Sequence, residues 1–159
     1  MPIRNINPQN RQDVDRFLDF PFQLYRKNPY WVPEIRSSAR LVFDRKRHPF
    51  YQHSDAAFFL AEHHGKVVGR LAALHNRNYC NHYKQEIGFF TCFDAIDDQT
   101  VANDLFNAAS DWMKKHGISS ILGPRGFLRS QGFGLLVEGF DHLPAVGITY
   151  NFAYYQKLI

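Results

Sequence analysis

The clearest pattern of apolar and polar positions lies between Glu86 and Gly117. Residues 87–93 form an almost continuous apolar run, which is typical of a strand that is buried on both faces and is therefore central in its sheet. Beyond this run, apolar side chains recur at intervals of three and four, which predicts an amphipathic helix. Its apolar face consists of Ala102, Leu105, Phe106, Ala109, Trp112 and Met113. An aspartate is expected at the N-cap of this helix, and Gly117 is expected to end it.

The N-terminal third of the chain predicts a short strand and two helices. Residues 2–7 suit the strand, and the first helix is expected to begin at Asn10 or Asp13. Pro21 lacks a backbone N–H, so this helix should kink or restart there. The second helix is expected over residues 34–45. Its inward-facing residues would be Ile35, Ala39, Leu41 and Val42.

In the middle of the chain, the spacing of apolar residues changes to the two-residue period of a β-strand. Residues 56–62 predict a strand, His64-Gly65 a tight turn, and residues 66–76 its antiparallel partner. The apolar run at 87–93 then adds a third antiparallel strand. Residues 118–122 form a short apolar strand after the helix, and such a crossover normally places its two strands parallel to each other. The sequence therefore predicts an α+β fold with a mixed sheet.

The C-terminal part is less regular. Residues 145–150 predict a further strand, and residues 151–158 are typical of the first turns of a helix that nothing covers before Ile159. We therefore expect residues 1–159 to form a single domain that is truncated at its C-terminal end.

The composition limits the classes of protein that need to be considered. A chain of 159 residues that is 45% hydrophobic can bury a core and is not typical of a disordered protein. A net charge of +4 permits anionic ligands without indicating a nucleic-acid partner. Two cysteines and the lack of an apolar leader or membrane-spanning run indicate a cytoplasmic protein without a membrane partner.

Two groups of basic residues each allow two interpretations, and the possible metal ligands do not predict a metal site. The positive patch from Arg36 to His48 is either a solvated helix face or an anion contact. The glycine-rich segment with Arg125 and Arg129 is either an anion-binding loop or a flexible connector. Cys80 and several histidines lack the spacing of known metal motifs, so no metal site is expected.

The order of these elements resembles the GNAT superfamily of acyl-CoA-dependent N-acyltransferases, and in particular the N-terminal part of a group of larger bacterial GNAT-like proteins. The segments that carry the resemblance are Phe20–Tyr25, Asn28–Pro33, Val68–Ala73, Gly88–Phe90, Ala108–Trp112, Gly123-Pro124, Gly134–Asp141, Tyr150-Asn151 and Tyr154-Tyr155. The resemblance implies a GNAT-like fold that lacks its last strands, acetyl-CoA or another acyl-CoA as donor, and acyl transfer to the amine of a small molecule.

The resemblance also implies positions for the donor. The pantetheine arm would lie in the gap beyond Phe93, and the pyrophosphate would lie at the N-terminus of the long helix, against Gln99, Thr100, Val101 and Ala102. The loop Asp97–Ala102 contains no glycine, and the charges of Asp97 and Asp98 oppose a pyrophosphate. The loop therefore does not match the family pattern for binding acyl-CoA.

For catalysis, the resemblance implies that Tyr154 or Tyr155 acts as the general acid, although either could instead pack as a core aromatic. The general base stays unassigned among Glu86, Thr91 and Asp94.

Two other functions remain open at this point. One is a non-catalytic module that binds a protein or forms a homodimer through an open sheet edge. The other is a phosphate or nucleic-acid binder.

Overall fold

A five-stranded mixed sheet forms the centre of the molecule. The computed structural model describes residues 1–128, 131–145 and 147–159. The strands are β1 (Ile3–Asn5), β2 (Asp55–His63), β3 (Lys66–His75), β4 (Ile87–Ala95) and β5 (Ser120–Leu122). The helices are α1 (Arg11–Leu24), α2 (Arg36–Leu41), α3 (Arg77–Tyr83), α4 (Gln99–Lys114) and α5 (Tyr155–Leu158), with a 3₁₀ helix at Pro49–Gln52.

The strands lie in sequence order across the sheet. The pairs from β1 to β4 are antiparallel, and β4 and β5 are parallel. His64 and Gly65 both have positive φ, as a tight hairpin turn between β2 and β3 requires. The predicted hairpin, the third antiparallel strand and the parallel crossover are confirmed.

Helices cover both faces of the sheet and produce two apolar cores. On one face, α4 packs its predicted stripe against β2, β3 and β4, and Val101, Leu105 and Met113 are fully buried there. On the other face, α1 and the segment after α2 pack against the opposite sides of the same strands, with Phe17 and Phe58 in their core. The strands between these cores are buried on both sides, as the apolar run of β4 predicted.

Two helices differ from their prediction. α2 spans only Arg36–Leu41, and Ile35 and Leu41 are exposed rather than inward-facing. The helix ends early because the Asp44 carboxylate accepts hydrogen bonds from the backbone N–H groups of Lys46 and Arg47, which stabilises a turn instead. The polar loop after β3 contains a helix, α3, that the pattern did not predict. The Asn76 side chain caps it by accepting from the Tyr79 N–H.

The C-terminal segment and the proline of α1 also depart from the prediction. The described residues of 145–150 contain no strand, and only Tyr155–Leu158 are helical at the end of the chain. α1 continues through Pro21 without a restart, for a reason that lies in the site described below. No helix in the described part of the chain combines the length and the apolarity that crossing a membrane requires.

His48 is a buried side chain whose protonation opposes folding. Its Nδ1 accepts a hydrogen bond from the Phe50 N–H at 3.3 Å and so caps the 3₁₀ helix. Its ring packs against Phe127, with the ring centroids 5.6 Å apart. Burial lowers the pKa of His48 below its ordinary value, and protonation of Nδ1 would remove the acceptor of this cap.

We expect the stability of the chain to fall as the pH decreases through the ordinary histidine range. Because the pKa of His48 is lower in the folded state, the unfolded chain binds more protons below about pH 6.5. The contribution of His48 is therefore complete above that pH and is lost as the pH falls towards the folded pKa. His48→Asn keeps an acceptor at the cap but cannot titrate, so its free energy of unfolding should depend less on pH between 7.5 and 5.5. Urea denaturation at several pH values measures this. An unchanged pH slope in the variant would contradict the assignment.

Candidate functional site

A bulge in β4 shapes the region in which the resemblance places the acyl donor. Arg70 pairs with Asp94 and Ala72 pairs with Thr91, so Cys92 and Phe93 of β4 together lie opposite one residue of β3. Cys92 has a φ of 52°, the left-handed conformation that an extra residue in a strand often requires. The bulge bends β4 and changes the direction of the side chains that follow it.

β4 also separates from β5 at this point. The parallel ladder ends at the Phe89–Leu122 pair, and the last backbone contact beyond it is the Arg125 N–H donating to the Phe90 carbonyl at 2.8 Å. Among the described residues, the part of β4 from Thr91 onward has no strand partner on its β5 side. A gap therefore opens beside the bulge.

The two tyrosines expected to act in catalysis close the far end of this gap. The Tyr155 hydroxyl accepts a hydrogen bond from the Ala95 N–H at 3.1 Å, and the Tyr154 hydroxyl donates to the Ala95 carbonyl at 2.8 Å. Two side chains thus satisfy the backbone groups that a neighbouring strand would otherwise pair.

Beneath the gap lies a buried network centred on one ion pair. Asp94 Oδ2 accepts from Arg70 Nε at 2.8 Å and from Arg70 Nη2 at 2.7 Å. Asp94 Oδ1 lies 2.9 Å from the Tyr25 hydroxyl and 3.2 Å from the Tyr155 hydroxyl. Burial, reinforced by the charge of Asp94, raises the pKa of both tyrosines, so both hydroxyls stay protonated at neutral pH. Burial alone would lower the pKa of Arg70, but the charge and hydrogen bonds of Asp94 raise it overall.

Arg70 also explains why α1 passes through a proline. In a regular helix, the N–H of residue 21 would donate to the carbonyl of Phe17, and Pro21 has no such group. Arg70 Nη1 donates to that carbonyl at 3.0 Å. The guanidinium therefore replaces the missing hydrogen bond of the helix, and the restart expected at Pro21 does not occur.

An apolar groove of about 390 Å³ lies over this network. Its walls come from α1, the segment that includes α2, the bulge of β4, and the segments after β5. Representative lining residues are Phe17, Trp31, Val42, Cys92, Phe93, Phe127, Leu135, Tyr150 and Tyr155. Phe93, which was expected at the donor gap, is therefore part of the groove, as is Tyr155 but not Tyr154.

Most of the groove's polar groups are already occupied. Burial raises the pKa of Cys92 to about 11, so its thiol is neutral and is not an activated nucleophile. Asp94 accepts hydrogen bonds from Arg70 and lies within hydrogen-bond distance of both tyrosine hydroxyls, so both oxygens of this base candidate are already engaged. Glu34 lies at the exposed rim and makes no ion pair or hydrogen bond with any other described residue. Glu34 is the available carboxylate of the groove lining, and no motif in the sequence pointed to it.

The predicted pyrophosphate loop is arranged differently. Asp98 is the N-cap of α4, and its carboxylate accepts from the Thr100 N–H at 2.8 Å. The Gln99 side chain donates to the Leu158 carbonyl and to Asn103. Val101 and Ala102 are fully buried in the core under α4. These residues hold the helix terminus and α5 in place, so the loop does not fit the phosphate cradle that the resemblance implied.

The predicted anion site and the positive patch are also engaged within the chain. The Arg125 guanidinium lies over the rings of Phe89, Tyr79 and Phe133, at 4.6, 4.8 and 5.4 Å from their centroids. Arg125 is not part of the groove lining, and Arg129 lies outside the described residues. In the patch, Arg36 pairs with Asp15 and Asp19, Arg40 pairs with Asp15, and Arg45 pairs with Asp55. These pairs favour the solvated-face interpretation of the patch.

The sequence contained two signals for the network that its analysis did not use. One is a proline inside a helical pattern, which leaves a carbonyl in need of a donor. The other is Arg70 inside the otherwise apolar run Val67–Leu74, since a buried charge requires a partner. Neither signal identifies Tyr25 or Asp94 as that partner.

Removing Arg70 should destabilise the chain strongly. Arg70→Met leaves the Asp94 charge and the Phe17 carbonyl buried without this donor, so we expect a loss of about 3–5 kcal/mol in the free energy of unfolding by urea denaturation. Arg70→Met/Asp94→Leu removes both charges. Its loss in the free energy of unfolding should be much smaller than the summed losses of the single variants Arg70→Met and Asp94→Leu. Arg36→Met, at a surface ion pair, serves as the control and should change the stability only slightly. Additive losses in the double variant would contradict a coupled pair.

The chain is similar in sequence to two bacterial proteins that are longer than it is. No protein-family model matches the chain. The chain is 34% identical over 155 residues to Protein YghO of Escherichia coli (strain K12), which covers 94% of this chain and 38% of YghO. It is 33% identical over 135 residues to the bacterial ceramide synthase of Caulobacter vibrioides (strain NA1000 / CB15N), which covers 84% of this chain and 35% of that protein. The chain thus spans little more than a third of the length of these curated relatives.

Solved structures with a similar fold are acetyltransferases. One is an aminoglycoside acetyltransferase from an uncultured soil metagenomic sample in complex with sisomicin, with a TM-score of 0.54 and 10% identity over 79% of this chain and 77% of that chain. The complex of the same enzyme with trehalose gives a TM-score of 0.53 and 11% identity over the same shares. At this level of identity, the similarity concerns the fold. The predicted α+β fold and the resemblance are confirmed at that level: the chain has a mixed five-stranded sheet and a fold similar to that of an acetyltransferase.

Proposed function

We propose that this chain supports acyl transfer from an acyl thioester, such as acyl-CoA, to an amine. The observation that carries the proposal is the apolar groove that opens where the bulge of β4 separates that strand from β5. The fold shared with acetyltransferases and the identity to a ceramide synthase support it. In this reaction, the amine nitrogen attacks the thioester carbonyl, the C–N bond forms and the C–S bond breaks. The nitrogen loses one proton, and the departing thiolate takes up one proton.

The groove favours an apolar acyl group. Its walls are aromatic and aliphatic, and the N-terminus of α4 is already capped by Asp98. Recognition of the donor should therefore depend on the acyl chain and on the arm that carries the thioester. A ceramide is an N-acylated long-chain amine, so the name of the Caulobacter relative is compatible with amide formation in such a groove.

Within this proposal, Tyr155 is a positioning residue. Its hydroxyl holds the Ala95 N–H and is tied to Asp94, and its raised pKa disfavours release of a proton. The Tyr154 hydroxyl donates a hydrogen bond to the Ala95 carbonyl. The role of general acid for either tyrosine stays a prediction. Glu34 is the carboxylate that could attract and orient an ammonium group at the rim.

We expect palmitoyl-CoA to bind more tightly than acetyl-CoA. Each methylene that the groove buries contributes up to about 0.8 kcal/mol, so even partial burial of the longer chain should raise the affinity by more than tenfold. Calorimetric titration measures both affinities. Ala39→Trp fills the groove from α2 and should weaken palmitoyl-CoA, whereas Ser37→Trp, at a neighbouring position outside the groove lining, serves as the matched control.

Equal affinities for palmitoyl-CoA and acetyl-CoA would argue against the groove as the acyl site. An equal loss of palmitoyl-CoA affinity in both tryptophan variants would argue against it as well. Asp98→Asn adds a further comparison, because it keeps the cap hydrogen bond but removes the charge. If the donor phosphates lie away from α4, this variant should bind palmitoyl-CoA as the original chain does.

Glu34→Gln should reduce transfer without weakening donor binding. With palmitoyl-CoA and a long-chain primary amine, we expect kcat/KM for the amine to fall several-fold because the rim loses its free carboxylate. Release of the CoA thiol measures turnover, and calorimetry measures the donor affinity. A parallel loss of donor affinity would show that Glu34 does not act on the acceptor.

The alternative is a non-catalytic module that pairs with another chain. It is favoured by β5, which ends the sheet as a strand of three residues and exposes 56% of Leu122. A homodimer through this edge is a proposal that sedimentation analysis at several concentrations would test.

A further inference from the structure

Three potential metal-ligating side chains meet at the end of the sheet opposite the groove. His75 ends β3, Cys80 lies in α3, and Glu86 directly precedes β4. Their ligand atoms all lie within 4.8 Å of one another. His75 is five residues beyond Arg70 along the same strand, roughly 17 Å away at the rise of a β-strand. None of the three residues lines the groove.

His75 carries a polar atom that the fold leaves without a partner. Its side chain is buried, with the residue 8% exposed, and its Nδ1 has no hydrogen-bond partner among the residues that the structure describes. Leaving a buried ring nitrogen unpaired is unfavourable, so such an atom indicates a missing interaction. Burial, together with the nearby charges of Arg77 and His116, lowers the pKa of His75 and keeps the ring neutral, which is the form that binds a metal.

Cys80 and Glu86 supply complementary donors to the same point. Cys80 is 5% exposed, and its Sγ lies 3.4 Å from the Ile87 carbonyl, which holds the thiol at the start of β4. Glu86 is exposed, so its carboxylate can rotate towards the other two groups. The ligands of a tetrahedral zinc ion lie roughly 3.3–3.7 Å from one another, given the usual Zn–S and Zn–N bond lengths. Small rotations of the side chains would shorten the present separations, which are at most 4.8 Å, to these distances.

We propose that His75 Nδ1, Cys80 Sγ and the Glu86 carboxylate bind a divalent transition-metal ion, with Zn²⁺ as the best match. A thiolate, an imidazole and a carboxylate together are typical zinc ligands, whereas Ca²⁺ and Mg²⁺ prefer oxygen atoms alone. The ion would join β3, α3 and β4 and leave a fourth position open. On binding, the Cys80 thiol loses its proton to solvent and the thiolate sulfur coordinates the ion.

The residue types and their elements explain why no motif identified this site. Known zinc motifs pair two cysteines or two histidines on one turn or helix. Here His75 and Cys80 are a mixed pair and each ligand belongs to a different element, whereas His82, which is close to Cys80 in the sequence, is exposed and contacts the Tyr83 ring edge to face.

Titration with Co²⁺ tests the proposal, because cobalt replaces zinc and reports a thiolate ligand by a charge-transfer band in the near ultraviolet. We expect one equivalent of Co²⁺ to produce this band in the reduced chain and Zn²⁺ to abolish it. Cys80→Ser should lose the band. Glu86→Gln changes an exposed side chain and should weaken the affinity by about tenfold or more while leaving the fold intact. Circular dichroism checks the folding of each variant.

Two matched controls distinguish this site from others in the chain. Cys92→Ser removes the other cysteine, and His64→Ala disrupts the exposed pair of His63 and His64, whose ring centroids lie 4.0 Å apart. Both variants should bind Co²⁺ as the original chain does. Zn²⁺ should also raise the melting temperature of the original chain and of both controls, but not of Cys80→Ser.

The proposal fails if no saturable thiolate band appears with the original chain. It also fails if Cys80→Ser and Glu86→Gln both bind as tightly as the original chain, or if His64→Ala is the variant that loses binding. A simple hydrogen bond between the Cys80 thiol and His75 would produce the first of these results.

Discussion

The ion pair between Arg70 and Asp94 connects β3, β4, α1 and α5 beneath the groove. Its guanidinium belongs to β3 and its carboxylate to β4, and the same guanidinium donates to the Phe17 carbonyl of α1. The carboxylate lies within hydrogen-bond distance of the hydroxyls of Tyr25, at the end of α1, and Tyr155, in α5. Because a buried ion pair is favourable only when its remaining donors and acceptors are satisfied, these elements depend on one another for their positions.

The bulge of β4 determines where the groove opens. An extra residue at Cys92 and Phe93 turns the strand away from β5, and the hydroxyls of Tyr154 and Tyr155 then satisfy the backbone of Ala95 in place of a neighbouring strand. A cleft inside a sheet would otherwise leave polar backbone groups unpaired. The clamp at Ala95 thus makes a stable gap possible, and it gives both tyrosines a structural role whether or not one of them also transfers a proton.

The charges of the chain are arranged so that the groove itself is largely apolar. Arg70 and Asp94 neutralise each other beneath it, and the arginines of α2 pair with aspartates of α1 on the surface. Glu34 is left at the rim as an available charge. This arrangement suits an acyl chain inside and a cationic group at the entrance better than a polyanion, which agrees with the proposed acyl transfer.

The sequence predicted those parts of the fold in which one local period decides the structure. The stripe of α4, the hairpin at His64-Gly65 and the parallel crossover follow from apolar spacing and turn chemistry. The prediction was wrong for the segments in which local hydrogen bonds compete with that period. Asp44 ends α2 early, and Asn76 begins a helix in a polar loop.

For the candidate site, the sequence alone determined that a mixed sheet with a crossover helix after its central strand would form and that an aspartate would cap that helix. Only the tertiary structure decided that Arg70 supplies the hydrogen bond that Pro21 cannot make, that Tyr154 and Tyr155 both bind the backbone of Ala95, and that His75, Cys80 and Glu86 meet at one point. Periodicity records which face of an element is buried. It carries no information on which distant residue satisfies a buried polar group, because that pairing depends on how separate elements pack against one another.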